Sequence, residues 1–99
     1  MLITGANGIV GSDLLKFFSK YNKVYALYRS TNEINKKLKS KNIVWIKHDI
    51  SKILKIKIKP KIIIHCAVIH SLSKKKKFND YINTNILGLL NLLEFAKKN

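Results

Sequence analysis

The sequence predicts an α/β fold, a parallel β-sheet with helices on both faces, and three observations lead there. Short apolar runs rich in Ile and Val alternate with stretches of helical spacing along the chain. A glycine-rich turn, Gly5 to Gly11, joins the first such run to the first helical stretch. Finally, 99 residues are enough for one domain, and no repeat, linker or low-complexity boundary divides them. Parallel strands joined through helices require right-handed crossovers.

Leu2-Ile3-Thr4 is a β-prone run at the very start. Beyond the glycines, Val10, Leu14, Phe17 and Phe18 recur at i, i+4, i+7 and i+8, the stripe of an amphipathic helix. Asp13 falls near its start, where the helix dipole favours an acid. Lys20-Tyr21-Asn22-Lys23 closes this helix, and Val24 to Tyr28 forms a second strand apolar enough for a sheet interior. Together these make a βαβ unit of about thirty residues, the size of a mononucleotide-binding half.

Residues 30–40 are polar, with Ile34 and Leu38 four apart, and read as a short surface helix. Ile43 to Ile46 is a third strand, ending at Lys47-His48-Asp49. The stretch from Ile50 to Lys59 carries two patterns. Ile56 and Ile58 alternate with lysines as in an edge strand, while Ile50, Ile53 and Leu54 fit a helical turn. The reading adopted is a short helix followed by an extended connection. Pro60 breaks the chain, and Ile62 to Ala67 reads as a fourth, fully buried strand. A basic loop covers 71–77. The last helix begins at Phe78, with Ile82, Ile86, Leu89, Leu90, Leu93 and Ala96 on one face and Leu87, Leu92 and Phe95 widening it. So broad an apolar surface implies two neighbours.

Composition narrows the function. No apolar run approaches the ~18 residues of a membrane span and no leader pattern opens the chain, so a soluble cytoplasmic protein is expected. The single Cys66 forms no internal disulfide and has no partners at zinc-ligand spacing. A net charge of +15 could advertise nucleic acid. All basic residues except Arg29 are lysines spread along the whole chain, which describes a solvated surface better than a focused groove. Nucleic acid and membrane are therefore not expected partners.

Gly5, Gly8 and Gly11 stand at Gly-x-x-Gly-x-x-Gly spacing between a strand and a helix. There they permit a tight turn, close approach of backbone to a pyrophosphate, and close helix packing, with phosphate held at the helix N-terminus. The plainer alternative is an ordinary strand-to-helix loop. Asp49 reads either as a helix N-cap or as a ligand contact. His65 and Cys66, on a strand end without partners at ligand spacing, read as packed core.

Thr4-Gly5-Ala6-Asn7-Gly8-Ile9-Val10-Gly11 resembles the cofactor motif of the extended short-chain dehydrogenases/reductases, the NAD-dependent epimerase/dehydratase family. Three later blocks resemble it in order: His48-Asp49-Ile50, Lys59 to Ala67, and Tyr81 to Glu94 with its Asn-x-x-Gly-x-x-Asn-Leu-Leu. The resemblance implies a partial Rossmann-type doubly wound sheet of about four strands in order 3-2-1-4. It also implies that Gly5, Asn7, Gly8, Ile9, Val10 and Gly11 form the pyrophosphate turn. Asp49 and Ile50 would lie at the adenine, Ala67 and Val68 beside the cofactor, and Asn85 facing its cleft. Arg29 ends the second strand where an acid would select NAD, so NADP is favoured over NAD.

In that family a Tyr-x-x-x-Lys pair performs acid/base chemistry on a later helix. Tyr21, Tyr25, Tyr28 and Tyr81 are followed at that spacing by Tyr25, Arg29, Asn32 and Asn85, so no catalytic or metal residue is assigned. The expectation is an N-terminal cofactor-binding domain over 1–99, cut before the catalytic pair and the substrate lobe. The whole enzyme would transfer hydride on a substrate such as a nucleotide-sugar, and the helix at 79–98 would join a homodimer. The alternative is a non-catalytic NAD(P) sensor or an inactive remnant.

Overall fold

The structure, a computed structural model, describes residues 1–29, 38, 40–69 and 76–99. The surface helix expected over 30–40 lies outside these residues apart from Leu38 and Ser40, and the basic loop lies outside apart from 76 and 77.

Strands β1 (Leu2–Thr4), β2 (Val24–Tyr28), β3 (Ile43–Lys47) and β4 (Ile63–His65) form one parallel sheet in the order β3-β2-β1-β4. Thr4 stands opposite Leu27 on one side and His65 on the other, so three strands end together. Helix α1 (Ile9–Phe18) covers one face of the sheet. A helical run covers the other: α2 (Phe78–Tyr81), a π-helical insertion (Ile82–Leu87) and α3 (Gly88–Lys98). No described helix is long and apolar enough to cross a membrane.

Because side chains of a strand alternate between faces, the sheet feeds two cores. Ile3, Val24 and Ala26 pack with Ala6 and Leu15 beneath α1. Leu2 and Leu27 pack with Ile50, Leu54, Leu92 and Phe95 beneath α3. Asn42 donates its side-chain amide to the Ser19 carbonyl at 2.8 Å, tying the start of β3 to the end of α1.

Both helices turn inward a face that only partly matches the one their spacing suggested. On α1 the buried positions are Gly11 and Leu15, flanked by half-buried Leu14 and Phe18, whereas Val10 is 62% and Phe17 57% exposed. The glycine lets the helix sit against the turn so closely that the inward direction is set there, not by the largest apolar side chains. Helix α1 starts at Ile9, which leaves exposed Asp13 beyond its first turn and away from the dipole end. On the last run Gly88, Leu92 and Phe95 are buried, while Ile86, Leu89, Leu90 and Leu93 are exposed. Here too a glycine decides the side, since a Cβ on Gly88 would stand 2.8 Å from Ile50 Cγ2.

Two other expectations change. Residues 50–54 form no helix: a turn closed by Lys52 N–H on the Asp49 carbonyl leads into an extended segment. Leu54 is buried, and Ile56 and Ile58 pack on the same core while the intervening lysines face solvent. The alternating pattern therefore carries the local structure, without strand pairing. Strand β4 is half-buried rather than fully buried, because it stands at an edge of the described sheet.

Leu15→Ala is expected to lower unfolding free energy by about 2–5 kcal/mol, the range for emptying a core leucine site. Phe17→Ala should cost about 1 kcal/mol or less. Urea denaturation of both variants checks which face of α1 is buried.

Candidate functional site

In the order 3-2-1-4 the strand order reverses between β1 and β4, and such a switch point opens a crevice at the carboxyl ends of the parallel strands. A cleft of about 150 Å³ lies there, with Thr4, Gly5 and Gly8 on its floor. The ends of β2 and β3 supply one wall through Arg29, Asp49 and Ile50, and Ala67 and Val68 beyond β4 supply the other.

The floor depends on glycine. Gly5 has φ of +62°, and a Cβ there would come within 2.7 Å of the Cys66 carbonyl carbon and oxygen. A Cβ on Gly11 would fall onto the Gly5 carbonyl oxygen. The turn is closed by Gly8 N–H on the Gly5 carbonyl at 3.0 Å, and anchored by Ala6 N–H on the Leu27 carbonyl at 3.0 Å. Helix α1 has no side-chain cap. Its first backbone bond runs from Ser12 N–H to the Gly8 carbonyl, so the N–H groups of Ile9, Val10 and Gly11 precede the ladder. Those groups and the helix dipole suit a phosphate.

Thr4 joins the floor to the β4 wall. Its buried Oγ1 accepts the N–H of Cys66 at 3.1 Å and of Ala67 at 3.2 Å, and lies 2.7 Å from His65 Nδ1. Burial lowers the His65 pKa and raises that of the Cys66 thiol. A protonated thiol is a poor nucleophile, so Cys66 serves as wall. Among the described residues no group of three His, Cys, Asp or Glu is arranged to hold a metal.

On the opposite wall Asp49 Oδ1 accepts the Ser51 N–H at 3.0 Å and the Ser51 hydroxyl at 2.8 Å. Burial pushes the Asp49 carboxyl up, but these two bonds and the charges of Arg29 and Lys52 outweigh it and hold it below its ordinary value. Asp49 therefore caps a turn rather than a helix and lines the cleft as a carboxylate.

Gly5, Asn7, Gly8, Arg29, Asp49, Ile50, Ala67 and Val68 are brought together around the cleft. Ile9 and Val10 do not line it with their side chains, which are 88% and 62% exposed; only their backbone can serve. Gly11 is a packing glycine rather than a wall. Asn85 is not turned to the cleft: its side chain pairs with Ile69 as a backbone would, Nδ2 donating to the carbonyl at 3.0 Å and Oδ1 accepting the N–H at 2.7 Å. Asn91 likewise donates to the Ile50 carbonyl at 3.0 Å. The Asn-x-x-Gly-x-x-Asn pattern thus braces both walls from behind.

Thr4, Leu27, Tyr28, His48, Cys66, Ile69 and Thr84 also line the cleft and were not assigned from sequence. For Thr4 a signal existed, a hydroxyl at the inward end of a buried strand, but its partners lie more than 60 residues away. His48 meets the Lys52 carbonyl through Nε2 at 3.2 Å and steadies the turn that carries Asp49.

A glycine floor without room for a Cβ, an uncapped helix N-terminus and a switch-point crevice define a dinucleotide-binding half of a doubly wound α/β fold. Within that class, the profile of the NAD dependent epimerase/dehydratase family matches residues 1–99, and the chain belongs to that family.

Solved structures agree. L-threonine dehydrogenase from Clostridium difficile is 31% identical with a TM-score of 0.74, over 98% of this chain and 32% of its own. A short-chain dehydrogenase from Leptospira borgpetersenii, solved with bound NAD+, is 27% identical with a TM-score of 0.75, over 96% of this chain and 43% of its own. A UDP-galactose 4-epimerase at 19% identity and a TM-score of 0.77 shares the fold, over 98% of this chain and 33% of its own. The chain thus spans less than half the length of each. No curated protein sequence matches this chain.

Because the Asp49 pKa lies below the ordinary carboxylate value, its contribution to stability is present above about pH 4 and is lost as pH falls through the lowered value. Ser51→Ala removes one of the two bonds and should move the carboxyl back up. Carbon-detected NMR titration of Asp49 in the two proteins checks this.

Proposed function

We propose that this chain binds a nicotinamide dinucleotide and forms the cofactor-binding part of an oxidoreductase, epimerase or dehydratase acting by hydride transfer. The observation that carries the reading is the floor, where Gly5 and Gly11 leave space for backbone only beside the uncapped start of α1. In this reading the N–H groups from Ile9 to Gly11 take the pyrophosphate. Asp49 and Ile50 flank the adenine, and Ala67 and Val68 border the cofactor on the β4 side. When bound, the dinucleotide supplies a hydride donor and acceptor. The protein holds it against the sheet ends and keeps Asp49 ionised.

The finer reading is NADP in preference to NAD. Arg29 stands in the cleft at the end of β2, where the ribose 2′ position falls in this fold class, and its guanidinium suits a phosphate. A nucleotide-sugar remains the substrate class proposed from family resemblance, with the Tyr-x-x-x-Lys chemistry supplied outside these 99 residues. The other reading is a sensor that uses the same cleft without chemistry.

Calorimetric titration with NADP+ and NAD+ tests both levels. The expected result is tighter NADP+ binding, with Arg29→Ala losing about tenfold or more for NADP+ and little for NAD+, as for one charge-assisted pair. Equal or tighter NAD+ binding overturns the NADP preference, and binding of neither overturns the reading. Detectable turnover by the chain alone would contradict a purely cofactor-binding role.

The exposed row of Ile86, Leu90 and Leu93, spaced i, i+4 and i+7, supports a helix-to-helix homodimer. Sedimentation should show a concentration-dependent dimer, and Leu90→Glu should return it to monomer.

A further inference from the structure

The contact between Thr4 and His65 fixes a proton. A hydroxyl has two lone pairs and one hydrogen. The N–H of Ala67 takes one lone pair of Thr4 Oγ1 at 3.2 Å, and the N–H of Cys66 is shared between the other at 3.1 Å and the Thr4 carbonyl at 3.2 Å. Its hydrogen must then go to His65 Nδ1, 2.7 Å away, and Nδ1 must be an unprotonated acceptor. The ring is thereby held as the neutral tautomer with its hydrogen on Nε2. A proton on Nδ1 would confront the Thr4 oxygen with three donors and leave the hydroxyl hydrogen without this acceptor.

The geometry points to His65 as a proton-controlled positioning residue: neutral, it locks the Thr4 hydroxyl onto the Cys66–Ala67 backbone, and protonated, it releases Ala67 and the cleft wall that follows it, while Cys66 stays on the Thr4 carbonyl. The inference takes its ligand from the dinucleotide reading above. Its geometric basis is independent of that ligand, since it rests on the contacts of Thr4 with His65, Cys66 and Ala67.

Burial lowers the His65 pKa, in keeping with a ring held neutral. From Leu2 to Gly11 no side chain is ionisable, and the ring's own strand end adds only Cys66. Across the cleft stand Tyr28, Arg29, His48 and Asp49. The elements covering this face add the exposed lysines of segment 52–61 and Asp80, Tyr81, Glu94, Lys97 and Lys98 of the helical run. Among the described residues none of these shifts His65; burial is the single cause. Stability linked to the neutral ring is therefore complete above about pH 6.5 and falls as pH drops toward the lowered value.

NMR on the chain tests this without ligand. At about pH 7.5 the ring nitrogens of His65 should report the Nε2–H tautomer, and on acidification the amide signals of Cys66 and Ala67 should move with the His65 midpoint. Titration with NAD+, which carries no 2′-phosphate to titrate near pH 6, should then show several-fold weaker binding at about pH 5 than at about pH 7.5. His65→Asn puts an untitratable amide oxygen near the Nδ1 position, and its affinity should be the same at both pH values. His48→Asn, which removes the other cleft imidazole, should keep the acid-side fall.

An Nδ1–H tautomer, amide signals indifferent to His65, or a wild-type pH profile in His65→Asn overturns the inference. Failure to bind either dinucleotide at any pH overturns the functional reading instead, and the tautomer and amide signals still decide the clasp.

Discussion

Backbone meets backbone where the first strand ends, and the rest of the structure is arranged around that contact. Gly5 takes a left-handed φ and comes against the Cys66 carbonyl, while Gly11 brings α1 onto the Gly5 carbonyl. No side chain can enter either contact. Three separate segments, the end of β1, the start of α1 and the end of β4, are therefore fixed relative to one another by steric exclusion. This is a short-range, steep interaction, and it sets geometry more sharply than apolar burial does. It also explains why the inward face of α1 runs through Gly11 and Leu15 although Phe17 is far larger.

Polar groups then hold the walls at their proper spacing. The buried Thr4 hydroxyl accepts the N–H groups of Cys66 and Ala67 and meets His65 Nδ1 at 2.7 Å. Asn85 satisfies both backbone groups of Ile69, and Asn91 reaches the Ile50 carbonyl from the same helical run. Loop backbone that lines a cleft has no sheet partner, so side chains must complete its hydrogen bonding or it would be left costly and mobile. The described buried side-chain polar atoms are all satisfied. The last helical run is thus less a wall of the site than a brace for two walls. Its glycine permits the approach, and its two asparagines hold what the approach reaches.

The charge of the chain has little part in this arrangement. Arg29 and Lys52 act on Asp49, a half-buried acid whose state is also set by Ser51. Many lysines ride on exposed positions, including those between Ile56 and Ile58 and around them, where the apolar partners point inward.

From the sequence alone, strand and helix alternation determined the sheet, its four strands and, through the ordered motif blocks, their arrangement and the family. Glycine spacing next to a strand end also located the cleft, because the signal is local and only Gly satisfies it. Which face each helix buries was decided by tertiary structure, since both faces of the last run are apolar and a glycine contact 38 residues away, Gly88 on Ile50, chose between them. The same holds for Asn85, whose motif position suggested the cofactor until Ile69 was found in its grasp. Thr4 and His65 belong to this second group as well: their 2.7 Å contact depends on two strands, 61 residues apart in sequence, meeting in register. Local patterns specify elements, and only the folded chain decides which long-range partner each polar group and each small residue serves.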